Sequence, residues 1–241
     1  MFKLFLCCLL ILNFSRIQNS LVRSEDFHAN MVHLIDSYQG NYLFRGNEPV
    51  INGTFFAYPE LTETMKTIIE AQGFTAPTNF ELIDMNFLNL FSKKEAENTK
   101  IEEDWYQKHS QSQNFFAWPI YGSVTDPDMY TDEERKKKAL TFDNWDIDRL
   151  TPRLKITYDL LHKVDTLPKL IYFHCEGGKD RTGEFGGSYM MLHFGWDYAK
   201  ALYWDTQIAG RVLEIFSINH LHWYCYYLKE KLGRDISCEL N

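Results

Sequence analysis

Positive charge is scarce in this chain. Its 241 residues carry 25 lysines and arginines against 33 aspartates and glutamates, a formal net charge of −8. That balance argues against nucleic acid and anionic membrane surfaces as partners. Long apolar runs are also missing. Leu4 to Leu12 falls well short of a bilayer-spanning length, so no stable membrane span is expected. The chain has no internal repeat and no low-complexity block. Cysteines number five, and Cys7 and Cys8 sit in the first twenty residues. The remaining three, Cys175, Cys225 and Cys238, are an odd number, which implies a free thiol in an oxidising compartment. Cys225 and Cys238 are left open between a pair and two free thiols.

What is there begins at the N-terminus. Lys3, the apolar run to Leu12 and the polar residues after it have the layout of a secretory signal peptide over residues 1–20. A secreted or lumenal protein with one domain over 21–241 is expected. Asn52-Gly53-Thr54 fits an N-glycosylation acceptor, which suits that compartment. Aromatics make up 16% of residues, read as core packing ahead of an aromatic-walled cleft.

Periodicity and punctuation give the order of elements. A short strand is expected over Tyr42–Gly46, a helix over Pro59–Ala71, a strand over Phe80–Asp84 and a helix over Ser92–Ser110. Ser92 with Glu95 three residues on reads as a capping box. Asn114–Tyr121 reads as a buried strand, and Glu133–Leu140 as a short surface helix. Thr151-Pro152 reads as an N-cap and first helical position. Leu170–Phe173, a continuous apolar run, reads as a central strand buried on both faces. Helices are expected over Thr182–Phe194, Asp197–Ile208 and Arg211–Leu232. The fold class is therefore α/β, a mostly parallel central sheet flanked by helices with a helical C-terminal layer.

The chemistry is concentrated in Leu170 to Glu184, which read LIYFHCEGGKDRTGE. A strand ends in His174-Cys175, and a helix is expected from Thr182, seven residues after the cysteine. Loops of this kind, at the C-terminal ends of sheet strands, are where open α/β sheets bind ligands. The helix N-terminus offers unpaired amides and the positive end of a dipole. Gly177 and Gly178 let the loop curl its amides inward, and Arg181 can grip a tetrahedral oxyanion with two donors. Thiols in such a field ionise readily, and the thiolate is the nucleophile.

HCEGGKDRT matches the His-Cys-x-x-Gly-x-x-Arg-Ser/Thr signature, and the chain resembles the cysteine-based protein tyrosine and dual-specificity phosphatase superfamily. LFRGNEP, residues 43–49, is similar to that family's early strand and turn. A rhodanese-type sulfurtransferase has a cysteine loop of this length but lacks the Arg-Thr-Gly that follows here. The resemblance implies a dual-specificity-phosphatase-like fold and hydrolysis of phosphomonoesters in phosphorylated proteins. It assigns Cys175 to a phosphocysteine intermediate, and Arg181 to phosphate binding and transition-state stabilisation. The backbone of Glu176, Gly177, Gly178, Lys179, Asp180 and Arg181 would cradle phosphate. His174 would order the loop, and Thr182 would hydrogen-bond the sulfur. No metal and no organic cofactor is expected.

The family's general acid is an aspartate roughly thirty residues before the cysteine, which here selects Asp143, Asp146 or Asp148. Asp148 and Asp143 are the leading choices. Asp126 and Asp128 follow more directly from the preceding strand. Lys179 matches a position used by phosphoinositide-directed members, whereas Glu176 stands where lipid 3-phosphatases place a second lysine. Asp180 matches a loop acid proposed for myotubularin-like lipid phosphatases. Phospholipid or inositol phosphate substrates, and a non-catalytic phospho-ligand binding module, are the alternative readings.

Overall fold

The computed structural model describes residues 26–240. The expected signal peptide, with Cys7 and Cys8, lies outside the described residues. Among those described, no helix is long and apolar enough to cross a membrane.

A five-stranded sheet forms the centre. Its strands are β1 (His33–Tyr38), β2 (Asn41–Asn47), β5 (Glu81–Asn86), β6 (Phe115–Ala117) and β7 (Lys169–Cys175), in the spatial order β1-β2-β7-β5-β6. Strands β2, β7, β5 and β6 run parallel, and β1 pairs antiparallel at the edge beside β2. A small antiparallel ribbon, β3 (Val50–Ile51) and β4 (Phe55–Phe56), follows β2. The helices are α1 (Tyr58–Ala71), α2 (Lys93–Lys108), α3 (Asp132–Leu140), α4 (Phe142–Trp145), α5 (Leu150–His162), α6 (Asp180–Phe194), α7 (Tyr198–Ala209) and α8 (Ile215–Glu230).

The period-two alternation of the strands explains the layering. Ile171, Phe173 and Cys175 of β7 face one core with Leu43, Ile83, Met85 and residues of α5, α6 and α8. Leu170 and Tyr172 face the other core with Tyr42, Phe44, Leu82 and residues of α1 and α2. Every residue of β7 is buried, as a central parallel strand requires. The aromatic residues are spent mainly on these cores, where Trp223, Tyr106, Tyr189, Phe87 and Phe173 are among the largest fully buried side chains.

Several expectations need correction. Strand β1, not anticipated, forms the antiparallel edge. The buried strand expected over Asn114–Tyr121 is a three-residue edge strand with Ala117 exposed. Thr151 is not an N-cap: α5 begins at Leu150 after Arg149 in the left-handed region, and the Asp146 carboxylate accepts the Leu150 amide at 2.6 Å. Finally, α8 begins at Ile215 rather than Arg211, which leaves 211–214 as a loop. That difference matters for the site.

Candidate active site

Strand β7 ends at Cys175 and α6 begins at Asp180. Between them lies a loop forced against the end of β2. Gly178 has φ +65°, and a Cβ there would stand 2.6 Å from the Asn47 nitrogen and the Gly46 carbonyl carbon. Only glycine fits that backbone and that approach. A Cβ at Gly177 would meet nothing nearer than the Lys179 Cγ at 3.9 Å, so this glycine, expected to share the curl, is not sterically required. Below the loop, Arg45 is fully buried, donates to the Gly178 carbonyl at 3.4 Å and is ion-paired with Asp205. The Tyr172 hydroxyl donates to the Asn47 carbonyl at 2.6 Å, which ties the last turn of β2 to β7.

A cleft of about 560 Å³ opens over the loop. Its walls include Cys175, Glu176, Gly177, Lys179, Asp180, Arg181, Arg211, His28 and Asn47. None of its lining residues is Phe, Tyr or Trp, so the aromatic excess does not wall it. Cys175 is a free thiol, 2% exposed at the cleft floor. No side chain caps α6, leaving its first-turn amides without a side-chain acceptor, a ready site for an anion.

Arg181 is anchored from behind. Its guanidinium contacts the Glu95 carboxylate at 2.5 Å and donates to the Phe87 carbonyl at 3.2 Å. Burial alone would lower its pKa, but Cys175 and Glu95 outweigh burial and hold it raised. Glu95 was anticipated as half of a capping box. Ser92 does accept the Glu95 amide at 3.4 Å, but the Glu95 carboxylate is used by Arg181 and by the Asn89 amide at 2.8 Å. As a functional residue it was missed, because an acid at that helical position signals only a cap.

His174 points to the opposite side of the sheet from Cys175. Its Nε2 lies 3.0 Å from Asp84 and 3.3 Å from Glu102, all three fully buried. Burial alone would lower its pKa, yet Glu102 and Asp84 hold it well above the ordinary value. These acids favour the charged ring, and the cluster pins the end of β7 to β5 and α2. Thr182, expected at the sulfur, is buried with its hydroxyl facing the Gly46 carbonyl at 3.5 Å.

The loop acids are neutralised. Glu176 pairs with Lys94 at 2.7 Å. Asp180 receives two donors from Arg211, at 2.9 and 2.6 Å, and the Glu214 amide at 2.7 Å. Arg211 reaches the cleft because the chain stays non-helical from 211 to 214. A helix expected from Arg211 onward hid this residue from the sequence reading.

The structure does not bring the two leading general acids to the cleft. Asp148 is fully buried, and its carboxylate accepts the Tyr121 and Gly122 amides at 2.9 and 2.7 Å. With Asp146 and Glu184 it surrounds His220, at 3.5, 3.3 and 2.6 Å respectively. Burial alone would lower the His220 pKa, but these acids raise it to about 10. Asp143 pairs with Lys231 at 2.8 Å. Asp126 accepts the Asp128 amide at 2.9 Å, and Asp128 pairs with Arg135 at 3.3 Å. These five aspartates cap, brace or pair, and none lines the cleft.

Two of the buried charge clusters, Asp84–Glu102–His174 and Asp148–Glu184–His220, have ligand atoms close enough to hold a metal ion, as do Asp126, Asp128 and His222. In the first two, the histidine is already paired with the acids. Cys225 and Cys238 are joined in a disulfide, so neither thiol is available to Cys175. Asn52 is exposed in the turn between β3 and β4.

No family model matches the chain. No curated protein matches it. A crystal structure of a Trypanosoma brucei protein tyrosine phosphatase is similar over 86% of this chain and 75% of that one, at 16% identity and a TM-score of 0.32. A score of that size does not establish a common fold, so the functional reading rests on the geometry of the cleft.

Proposed function

We propose that the chain is a cysteine-dependent phosphatase that hydrolyses phosphomonoesters, with phosphotyrosine or phosphoserine and phosphothreonine in proteins as its substrates. One observation carries the reading. A free cysteine ends the central strand directly beneath the uncapped N-terminus of α6, with Arg181 braced beside it in the same cleft. A phosphate bound by the loop amides and Arg181 sits over the Cys175 sulfur. The thiolate attacks phosphorus and forms phosphocysteine, and water then releases phosphate and restores the thiolate. Arg181 is held in place by Glu95 before substrate arrives, so it stabilises the equatorial oxygens without reorganising. His174 holds the strand end, and Gly178 sets the curl. Thr182 serves the sulfur only if its hydroxyl turns from Gly46. No metal takes part in this scheme.

A domain over 21–241, preceded by a cleaved signal over 1–20, in a secreted or lumenal protein is part of the same proposal. The Cys225–Cys238 pair supports it, since disulfides persist in oxidising compartments. The exposed Asn52 is the glycan acceptor under this reading.

A second reading, an inositol-phosphate or phosphoinositide phosphatase, is favoured by a specific observation. Glu176 and Asp180, which would oppose a polyanion, are each neutralised by a cation, and the cleft also presents Lys179. Turnover of phosphopeptides against inositol phosphates, measured side by side, decides between them.

The central test uses reduced wild-type protein and p-nitrophenyl phosphate. Cys175→Ser is expected to lower turnover by roughly 10³-fold or more, and vanadate to block the wild type. Folded, reduced wild type with no turnover sinks the enzyme reading. Retention of phosphate affinity in that inactive protein favours the binding module.

A further inference from the structure

The cleft holds a nucleophile and an anion clamp, and it still needs a source for the proton that the departing oxygen requires. Each cleft carboxylate is already committed. Asp180 is held by both Arg211 donors and the Glu214 amide, and Glu176 is paired with Lys94. Glu95 is occupied behind Arg181. The aspartates of 122–149 are folded elsewhere. Lys179 also lines the cleft, where it can pair with a bound phosphate.

A further part of the cleft wall comes from the segment before β1, through His28, Asn30 and Met31. This segment is tethered at residue 28 and at the two residues before it. The Phe27 amide donates to the Val50 carbonyl at 3.1 Å, and Phe27 packs on the core between the sheet and α1. The His28 amide donates to the Asn47 Oδ1 at 3.0 Å, while the Asn47 Nδ2 donates to the Asp26 carbonyl at 2.9 Å. Asn47 is the register partner of Cys175 on the neighbouring strand, and adjacent strands lie about 4.8 Å apart. Asn47 therefore splints the His28 backbone one strand away from the nucleophile. The His28 side chain is half-buried at the cleft wall. Among the described residues, its imidazole makes no hydrogen bond and no ion pair, unlike every acid near it.

We propose that His28 is the general acid of this site, positioned by Asn47; this rests on the phosphatase reading above. As Cys175 attacks, the sulfur–phosphorus bond forms and the bond from phosphorus to the leaving oxygen breaks. The imidazolium N–H of His28 passes its proton to that oxygen, which leaves as a neutral alcohol. The neutral imidazole then takes a proton from the water that attacks phosphocysteine. The sulfur–phosphorus bond breaks, phosphate leaves, and both the thiolate and the imidazolium are restored. Histidine suits this exchange because a ring nitrogen can give up a proton and later take one back. It also places the proton donor on the N-terminal segment rather than on the aspartate-rich connection.

The contacts that hold residue 28 are made by its backbone, so His28→Gln keeps them. The experiment compares p-nitrophenyl phosphate, whose leaving group departs without help, with phenyl phosphate, whose leaving group needs a proton. His28→Gln is expected to lower kcat for phenyl phosphate about 100-fold or more and to change kcat for the nitrophenyl ester only slightly. Free imidazole added to His28→Gly is expected to restore phenyl phosphate turnover selectively. Equal losses on both esters, or no loss on either, overturn the inference alone. Absence of turnover of both esters by the wild type overturns the phosphatase reading and this inference with it.

Discussion

Two stretches of this molecule are rich in the residues that chemistry uses, and they fold to opposite ends. Residues 174–181 and residues 126–148 both carry several charges beside aromatic or glycine-rich neighbours. In the first, three charges are matched from distant elements yet still line an open cleft: Arg181 by Glu95, Glu176 by Lys94 and Asp180 by Arg211. In the second, the acids are consumed. Asp146 and Asp148 enclose His220, Asp143 pairs with Lys231, and Asp126 and Asp128 cap and pair locally. A charge becomes useful chemistry where its partner holds it at a cavity wall. Where the partner closes over it, the charge becomes structure.

The sharpest way to break this contrast is to remove the histidine from the second stretch's network. His220→Gln leaves Asp146, Asp148 and Glu184 without their cation. A loss of about 3–5 kcal/mol in unfolding free energy is expected, with turnover per folded molecule preserved. The sign follows from its pKa. The folded value, about 10, lies above the ordinary 6.5, so its stabilisation is complete below pH 6.5 and is lost as pH rises through about 10. Denaturant titrations of both proteins at several pH values check this. Lost turnover with intact stability would return the aspartates of 126–148 to the catalytic machinery.

A smaller effect separates the two loop glycines. Gly178→Ala forces a Cβ into the β2 backbone at positive φ and is expected to cost about 1–3 kcal/mol. Gly177→Ala has open space and should stay within about 0.5 kcal/mol of wild type. Equal costs in thermal unfolding would mean that the loop does not lean on Gly46 and Asn47.

The mildest test concerns Glu48, fully buried next to that turn. Burial is the main cause that pushes its carboxyl up to about 8 from 4.5, against the opposing hydrogen bond from Asn98. A raised folded value means that its contribution favours the folded state below pH 4.5 and is lost as pH rises through about 8. Glu48→Gln keeps an acceptor for Asn98 and removes the titration. Its Tm relative to wild type should rise between pH of about 5 and about 9, and a constant difference would show that Glu48 does not titrate in this window.

Much of the fold was legible because it is written in local pattern. The apolar run 170–173 marked the central strand, and Gly195 marked the end of α6, where it adopts φ +65°. The pairing of Cys225 with Cys238 was visible as one of two options. The places where the pattern failed have physical causes. Thr151 and Pro152 satisfy the local preference for a helix start, but Asp146 supplied the acceptor from outside that pattern. Arg211 was absorbed into an expected helix, although its ion pair with Asp180 holds the chain in a loop there.

The sequence by itself located the cysteine, the arginine, the glycine pair and the strand–loop–helix that presents them, because those features are set by neighbours within a few residues. Only the tertiary structure decided which charges face the cleft. Glu95, Arg211, Asn47 and His28 come from four separate elements and gather around the 175–181 loop through contacts that no local spacing encodes. Long-range pairing depends on how sheet and helices dock, and docking is fixed by burial of the two cores. Thus the cleft's thiol could be located from fifteen residues, whereas the groups gathered around it required the whole fold.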